Sequence, residues 1–209
     1  MEAIADRTVT ARRPHAGPAR TTVNTTVSAA ANTAVHSLTG HFWASAARPH
    51  SAHAAHAESA HAAFQGLVAQ VKNTPGLMLF DAVEAGVPTQ MVEVIAGALA
   101  LPASSVMDML GVSLTTLRRK EQLGEPLPDA AGHRVMGLLR LVATLRRLLE
   151  ESADPAEFKR FDVEAWLATW LRQSLPELGG KTPADLLRNP EGQRSLEQLL
   201  ERMRGGLPA

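Results

Sequence analysis

The chain has 209 residues, 45% of them hydrophobic but only 4% aromatic, with no Tyr, no Cys and a formal net charge of zero. Disulfides and thiol chemistry are therefore excluded, and any core must be assembled from Leu, Val, Met and Ala, a palette that suits helices. The neutral total hides a pattern: residues 112–150 hold 7 basic and 4 acidic side chains, the one basic block within the region of regular pattern. A local basic face attracts phosphate even on a neutral chain.

Residues 1–63 are rich in Ala, Thr, Ser, Arg and His, and carry Pro14, Pro18 and Pro49. Large apolar residues are scarce there, with Leu38, Phe42 and Trp43 the main ones. Such a segment buries too little surface to offset its ordering entropy, so it reads as a largely disordered tail, with a frayed helix over Ser51 to Ala63. Because the helical pattern sets in near Met78, a start of translation close to that residue is a further expectation, which N-terminal sequencing of the native protein checks. His50, His53, His56 and His61 are spaced for one helical face, but only Glu58 stands near to complete a ligand set, so no metal site is assigned.

From Leu77 onward the periodicity is helical and strand-like alternation is absent. A first short helix runs to Glu84 and stops at Gly86. Pro88 suits the first turn of the next, which places Met91, Ile95, Ala98 and Leu99 on one face. Pro102 opens a third helix carrying Val106, Met109 and Leu110. Gly111 breaks it, and Ser113 caps a fourth with Leu114 and Leu117. After a loop at Gly124, Pro126 and Pro128, the longest helix covers about Asp129 to Glu151. Its Val135, Leu138, Val142, Leu145 and Leu149 face inward, leaving Arg134, Arg140 and Arg147 for the other face.

Asp154-Pro155 starts a helix whose apolar stripe is Val163, Trp166, Leu167, Trp170 and Leu171. A loop from Pro176 to Lys181 comes next. Thr182 caps a short helix with Pro183 at its first position, and Asn189-Pro190 ends it. The last helix holds Leu196, Leu199, Leu200 and Met203 and stops at Gly205-Gly206. In physical terms the C-terminal stretch is three helices clasped by two turns.

Two features carry function. The first is a short helix, a Gly turn and a second helix between Pro102 and Leu123, which fits a helix-turn-helix. Thr115, Thr116, Arg118 and Arg119 lie in the first turns of its second helix, where base edges are in reach. Lys120 and Arg119 are placed for phosphates. The plain alternative is a helical hairpin with a solvated basic face. Met107 is large for a close helix crossing, and Lys120 is polar where an apolar residue is common. The second feature is Leu178-Gly179-Gly180-Lys181-Thr182-Pro183 with Leu186-Leu187, preceded by a Trp-Leu and followed by Glu191-Gly192. No G-x-S-x-G, P-loop or zinc-helix motif is present, so no catalytic residues are assigned.

The second feature resembles the toxin-binding domain of Xre/MbcA/ParS-type antitoxins. Val112-Ser113 with Thr116-Leu117-Arg118-Arg119 resembles that family's Xre-like helix-turn-helix. The resemblance covers about Leu79 to Gly206, and it departs in the acidic linker from Glu150 to Phe161. Residues 1–63 have no counterpart in it, and with the tail read from composition it implies an all-α protein: a tail over 1–63, a helix-turn-helix domain over 64–128, a long connecting helix and linker over 129–160, and a toxin-binding domain over 161–209. It also implies a non-enzymatic antitoxin whose partner is a RES-domain toxin that consumes NAD or transfers ADP-ribose from it. The antitoxin would cover the NAD pocket and repress its own operon. Leu178 to Pro183, Arg202, Arg204, Gly205 and Gly206 would then meet the toxin, and Thr115, Thr116, Arg118, Arg119 and Lys120 the operator DNA. A homodimer within the complex and a cytoplasmic location are expected, with no cofactor of its own and no membrane. The rival reading is a helix-turn-helix regulator without a toxin partner. A purely structural helical adaptor is a third possibility.

Overall fold

The computed structural model describes residues 42–44, 53–152, 154–158 and 160–203. They form α1 (His53–Asn73), α2 (Gly76–Glu84), α3 (Met91–Ala98), α4 (Ala103–Leu110), α5 (Leu114–Leu123), α6 (Asp129–Ser152), α7 (Pro155–Phe158), α8 (Val163–Trp170), a 3-10 turn at Pro176–Leu178, α9 (Pro183–Leu186) and α10 (Pro190–Met203). No strand occurs among the described residues.

α6 is the axis of the molecule. Val135, Leu138, Leu139, Leu141, Val142 and Leu145 are all essentially inaccessible to solvent. α1, α2, α4 and α10 all pack against it. A single apolar cluster runs from Phe42 to Leu200, so the helix-turn-helix end and the C-terminal clasp share one core. Gly132 and Gly137 mark where α6 is approached most closely: a methyl group would press on Val87 at the first and overlap Gln193 at the second.

The regular structure begins well before Leu77. α1 starts inside the segment read as a tail and buries Ala60, Phe64, Leu67, Val68 and Val71 against α3 and α6. Phe42 and Trp43 join the same cluster. Their rings meet edge to face at 4.7 Å, and the Trp43 indole donates to the Ala82 carbonyl at 2.9 Å. The contact of α1 with α3 is close because a methyl on Gly97 would come within 2.6 Å of the Ala60 Cβ. The rest of the expected tail lies outside the described residues.

Two helix starts also move. Pro88 does not open α3. Pro88, Thr89 and Gln90 form a turn, with the Met91 amide donating to Pro88 (3.1 Å), and the helix proper starts at Met91. The helix expected from Asp154 is split. α7 ends at Phe158, and Asp162 restarts the chain as α8 by accepting from the Ala165 amide at 2.9 Å.

Candidate functional site

The helix-turn-helix lies between α4 and α5, where its sequence places it. Gly111 closes α4 in the left-handed region at φ 66°, a conformation that costs other residues about 1 kcal/mol or more. Ser113 then caps α5 by accepting from the Thr116 amide at 3.1 Å. Leu117 is buried beneath α5, whereas Leu114 is about half exposed.

The five side chains assigned to DNA divide by what they touch. Thr115, Arg118 and Arg119 are exposed on α5. Thr116 is part of the cap, its hydroxyl 2.8 Å from that of Ser113. Lys120 is tied to Glu125 by an ion pair of 2.9 Å. The same Lys120 hydrogen bond and charge hold the Glu125 carboxyl below its ordinary value. Any contact of Lys120 with phosphate would compete with this pair.

The clasp is built from α8 to α10. Trp166 and Trp170 stack at 5.4 Å and 17° with Trp170 buried, and Phe161 sits 6.3 Å from Trp166 at the edge of the pair. Leu187, Leu196, Leu199 and Leu200 close the interior, and Leu186 packs against it.

The loop from Leu175 to Thr182 is folded back on itself by backbone bonds. The Leu175 amide donates to the Lys181 carbonyl (3.1 Å), and the Gly180 amide to the Leu175 carbonyl (3.0 Å). The Ser174 hydroxyl also donates to the Gly180 carbonyl (2.6 Å). Gly179 and Gly180 both take positive φ, 65° and 79°, which this double turn requires.

The next turn is fixed by a reciprocal cap. The Thr182 hydroxyl accepts from the Asp185 amide (3.2 Å). The Asp185 carboxylate accepts from the Thr182 amide (3.2 Å) and hydroxyl (2.8 Å). Those Thr182 bonds, the hydroxyl first, hold the Asp185 carboxyl below its usual value. Pro183 is buried, and the Ala184 amide donates at 3.0 Å to the carbonyl of Leu171, the residue that closes α8, which seats α9 on the preceding helix. Asn189 caps α10 through the Gly192 amide (2.8 Å), and Gly192 lies so close under Leu186 that a methyl would overlap its carbonyl.

Of the loop residues, Gly179, Gly180 and Lys181 are exposed, whereas Leu178, Thr182 and Pro183 are partly or fully covered. Arg202 lies on another element, α10. It is exposed in the last turn of α10, in a shallow groove with Thr144, Arg147, Arg194, Glu197, Gln198 and Glu201. Arg147 in that groove is hydrogen-bonded to Glu201 and Glu151. Arg204, Gly205 and Gly206 lie outside the described residues. So do His50 and the side chains of His53 and His56. His61 bonds to Gln65 (2.5 Å), and no group of three possible metal ligands occurs among the described residues.

Sequence reasoning missed how α6 meets both halves. Arg134 does not face outward. Its guanidinium donates to the carbonyls of Leu110 (2.7 Å) and Arg188 (3.4 Å). Arg146 donates to Glu164, which is buried in the first turn of α8. Gln193 of α10 donates to the carbonyls of Leu187 (3.0 Å) and His133 (3.4 Å). The available signal was Gly132 and Gly137, two glycines inside a long helix, where each costs about 1 kcal/mol unless something packs against it.

The arrangement defines a class: a helix-turn-helix protein whose last helices form a compact, loop-presenting clasp on the same core. Residues 78–140 match the antitoxin Xre-like helix-turn-helix domain, and residues 158–206 match the antitoxin Xre/MbcA/ParS C-terminal toxin-binding domain. The chain belongs to the Xre/MbcA/ParS antitoxin family. It is 38% identical over 109 residues to the Prs ADP-ribosylating antitoxin of Sphingobium sp. (strain YBL2), covering 52% of this chain and 67% of that one. No solved structure matches. No single helix among the described residues is long and apolar enough to cross a membrane.

Proposed function

We propose that this chain neutralises a RES-domain toxin by laying its clasp over the toxin's NAD-binding active site, and that it represses its own operon through α5. The observation that carries the first half is the exposed Gly179-Gly180-Lys181 turn, held rigid from both sides within the toxin-binding domain. A preformed loop loses little conformational entropy on docking. Its Lys181 and the exposed Arg202 bring positive charge suited to a pocket built for an anionic cofactor. The relative's name also supports this reading, because ADP-ribosylation draws on NAD. In this role the chain performs no chemistry of its own. It acts as a stoichiometric inhibitor in the cytoplasm, as a homodimer reading two operator half-sites.

Co-expression tests the inhibition. Deleting residues 178–209 should abolish protection from the toxin, and Lys181→Ala with Arg202→Ala should weaken it. Protection that survives the deletion sinks the occlusion reading. For the operator, Arg118→Ala with Arg119→Ala should weaken binding and lower its salt slope by about 2, roughly one for each phosphate left unneutralised. An unchanged gel shift would leave α5 as scaffold. A regulator with no toxin partner would keep the DNA result and fail the first.

A further inference from the structure

Arg134 lies where the two working halves meet. The Leu110 carbonyl that it binds closes α4, and the Arg188 carbonyl lies two residues beyond α9. Carbonyls at a helix C-terminus have no partner inside their own helix, and a cation offsets the negative end of the dipole there. Gly111 adds an independent constraint. Its missing side chain is what admits the guanidinium, because a methyl at Gly111 would overlap the Nη1 atom. A second tie comes from the clasp: Gln193 of α10 reaches the His133 carbonyl (3.4 Å) within α6 and fills the space over Gly137.

We infer that Arg134 is a positioning residue coupling the clasp to the helix-turn-helix, so that a partner seated on the clasp changes how α5 grips DNA. What the two surfaces bind rests on the function proposed above; the strut itself does not. One planar guanidinium holds both carbonyls, the first at 2.7 Å and the second at 3.4 Å, so a shift of either one is felt at the other. One sits at the turn that aims α5, and the other at the turn between α9 and α10. A partner that fixes the second turn holds the first in its DNA-competent geometry. Linkage makes the effect reciprocal: DNA tightens the clasp's grip by the same factor.

The test uses the full chain and Arg134→Met, which keeps the length of the side chain and removes its donors. Arg134→Lys, which reaches one carbonyl at a time, serves if the Met variant does not fold. Hydrogen exchange on the free protein asks about the strut alone. Amides at Gly111–Val112 and at Asn189–Gln193 should both exchange about tenfold faster in the variant, as local opening at each end becomes easier. Acceleration at one end only, or at neither, overturns the inference. Operator affinity is then measured with and without an inactivated cognate RES-domain protein. Wild type should bind operator roughly 3- to 30-fold tighter with the partner present, and the variant should lose most of that factor. A factor that survives Arg134→Met, or is absent in wild type although both ligands bind, overturns it. If neither ligand binds, the proposed function fails while the exchange result still decides the strut.

Discussion

Cutting Glu164 back to Ala asks what holds the clasp to the central helix. Glu164 is 5% exposed in the first turn of α8, and its carboxylate takes a hydrogen bond from Arg146 on α6. The Arg146 Nε is itself buried without a partner, so Glu164 is what compensates that guanidinium on its buried side. As an intact pair the two contribute little net stability, because desolvation offsets most of the attraction. Breaking the pair is another matter. An unpaired, fully buried charge costs about 3–5 kcal/mol, but Arg146 keeps 24% of its side chain in water. We therefore expect Glu164→Ala to cost about 2–3 kcal/mol, allowing for that partial hydration. With a urea slope of about 2–3 kcal/mol/M, the midpoint should fall by roughly 1 M at unchanged slope. Replacing both partners, Arg146→Met with Glu164→Leu, should recover most of the loss, giving a coupling energy above about 1 kcal/mol. A cost below about 0.5 kcal/mol, or additive single and double changes, would refute the argument that this pair pins the clasp.

The same packing sets four further outcomes. A chain begun at Met78 lacks α1; burial of Phe64, Leu67, Val68 and Val71 contributes about 1.5–3 kcal/mol each, comparable to a whole domain's stability. Circular dichroism should show it unfolded or associating, and a cooperative melt near that of the full chain would show that α1 is dispensable. Gly192→Ala drives a methyl into the Leu186 carbonyl and should cost about 1–3 kcal/mol in urea denaturation while weakening toxin protection. Asp185 has its carboxyl pKa lowered in the fold by Thr182. Its contribution is thus fully present above the unfolded value near 4 and lost as pH falls through the folded one. The stability of wild type and Asp185→Asn should then converge as pH drops below about 4, and curves that stay parallel would argue against the cap. Glu125→Gln frees Lys120, so operator binding should strengthen and its salt slope rise by roughly 1; no change would leave Lys120 with no role at phosphate.

The parts of the fold that were legible in the sequence are those written in apolar spacing and backbone chemistry. The inward stripe of α6 at Val135, Leu138, Val142, Leu145 and Leu149 is buried as its spacing of three and four dictates. Gly111, Ser113, Thr182 and Pro183 stop and start helices where those residue types do so locally. α1 was only half legible, its first turns reading as a frayed helix over Ser51 to Ala63, for a compositional reason. Its N-terminal half is mostly Ala and His, and the four large residues that bury it, Phe64, Leu67, Val68 and Val71, come only in its second half. A window averaged over the Ala-rich stretch sees polarity and low bulk, although small residues such as Ala60 are what let α1 approach Gly97 closely.

The clasp's six-residue block was found by its pattern, but the pattern does not say which residues build and which present. The structure separates them through acceptors that no sequence motif records. Thr182 is spent on Asp185, Pro183 is buried, and Leu178 packs inward, leaving Gly179, Gly180 and Lys181 facing out. Main-chain carbonyls are the same atom at every position, so a side chain that seeks one leaves no trace in residue identity. Arg134 and Gln193 were therefore unreadable as bridges, and helical phase alone puts Arg134 in solvent. The glycines facing such side chains are the exception, since Gly111 and Gly137 stand where any larger residue would collide with Arg134 and Gln193. A glycine in or beside a helix with a long polar residue from another element packed onto it is then a physical signature of a strut. Among the described residues both instances fall where α6 meets one of the two halves.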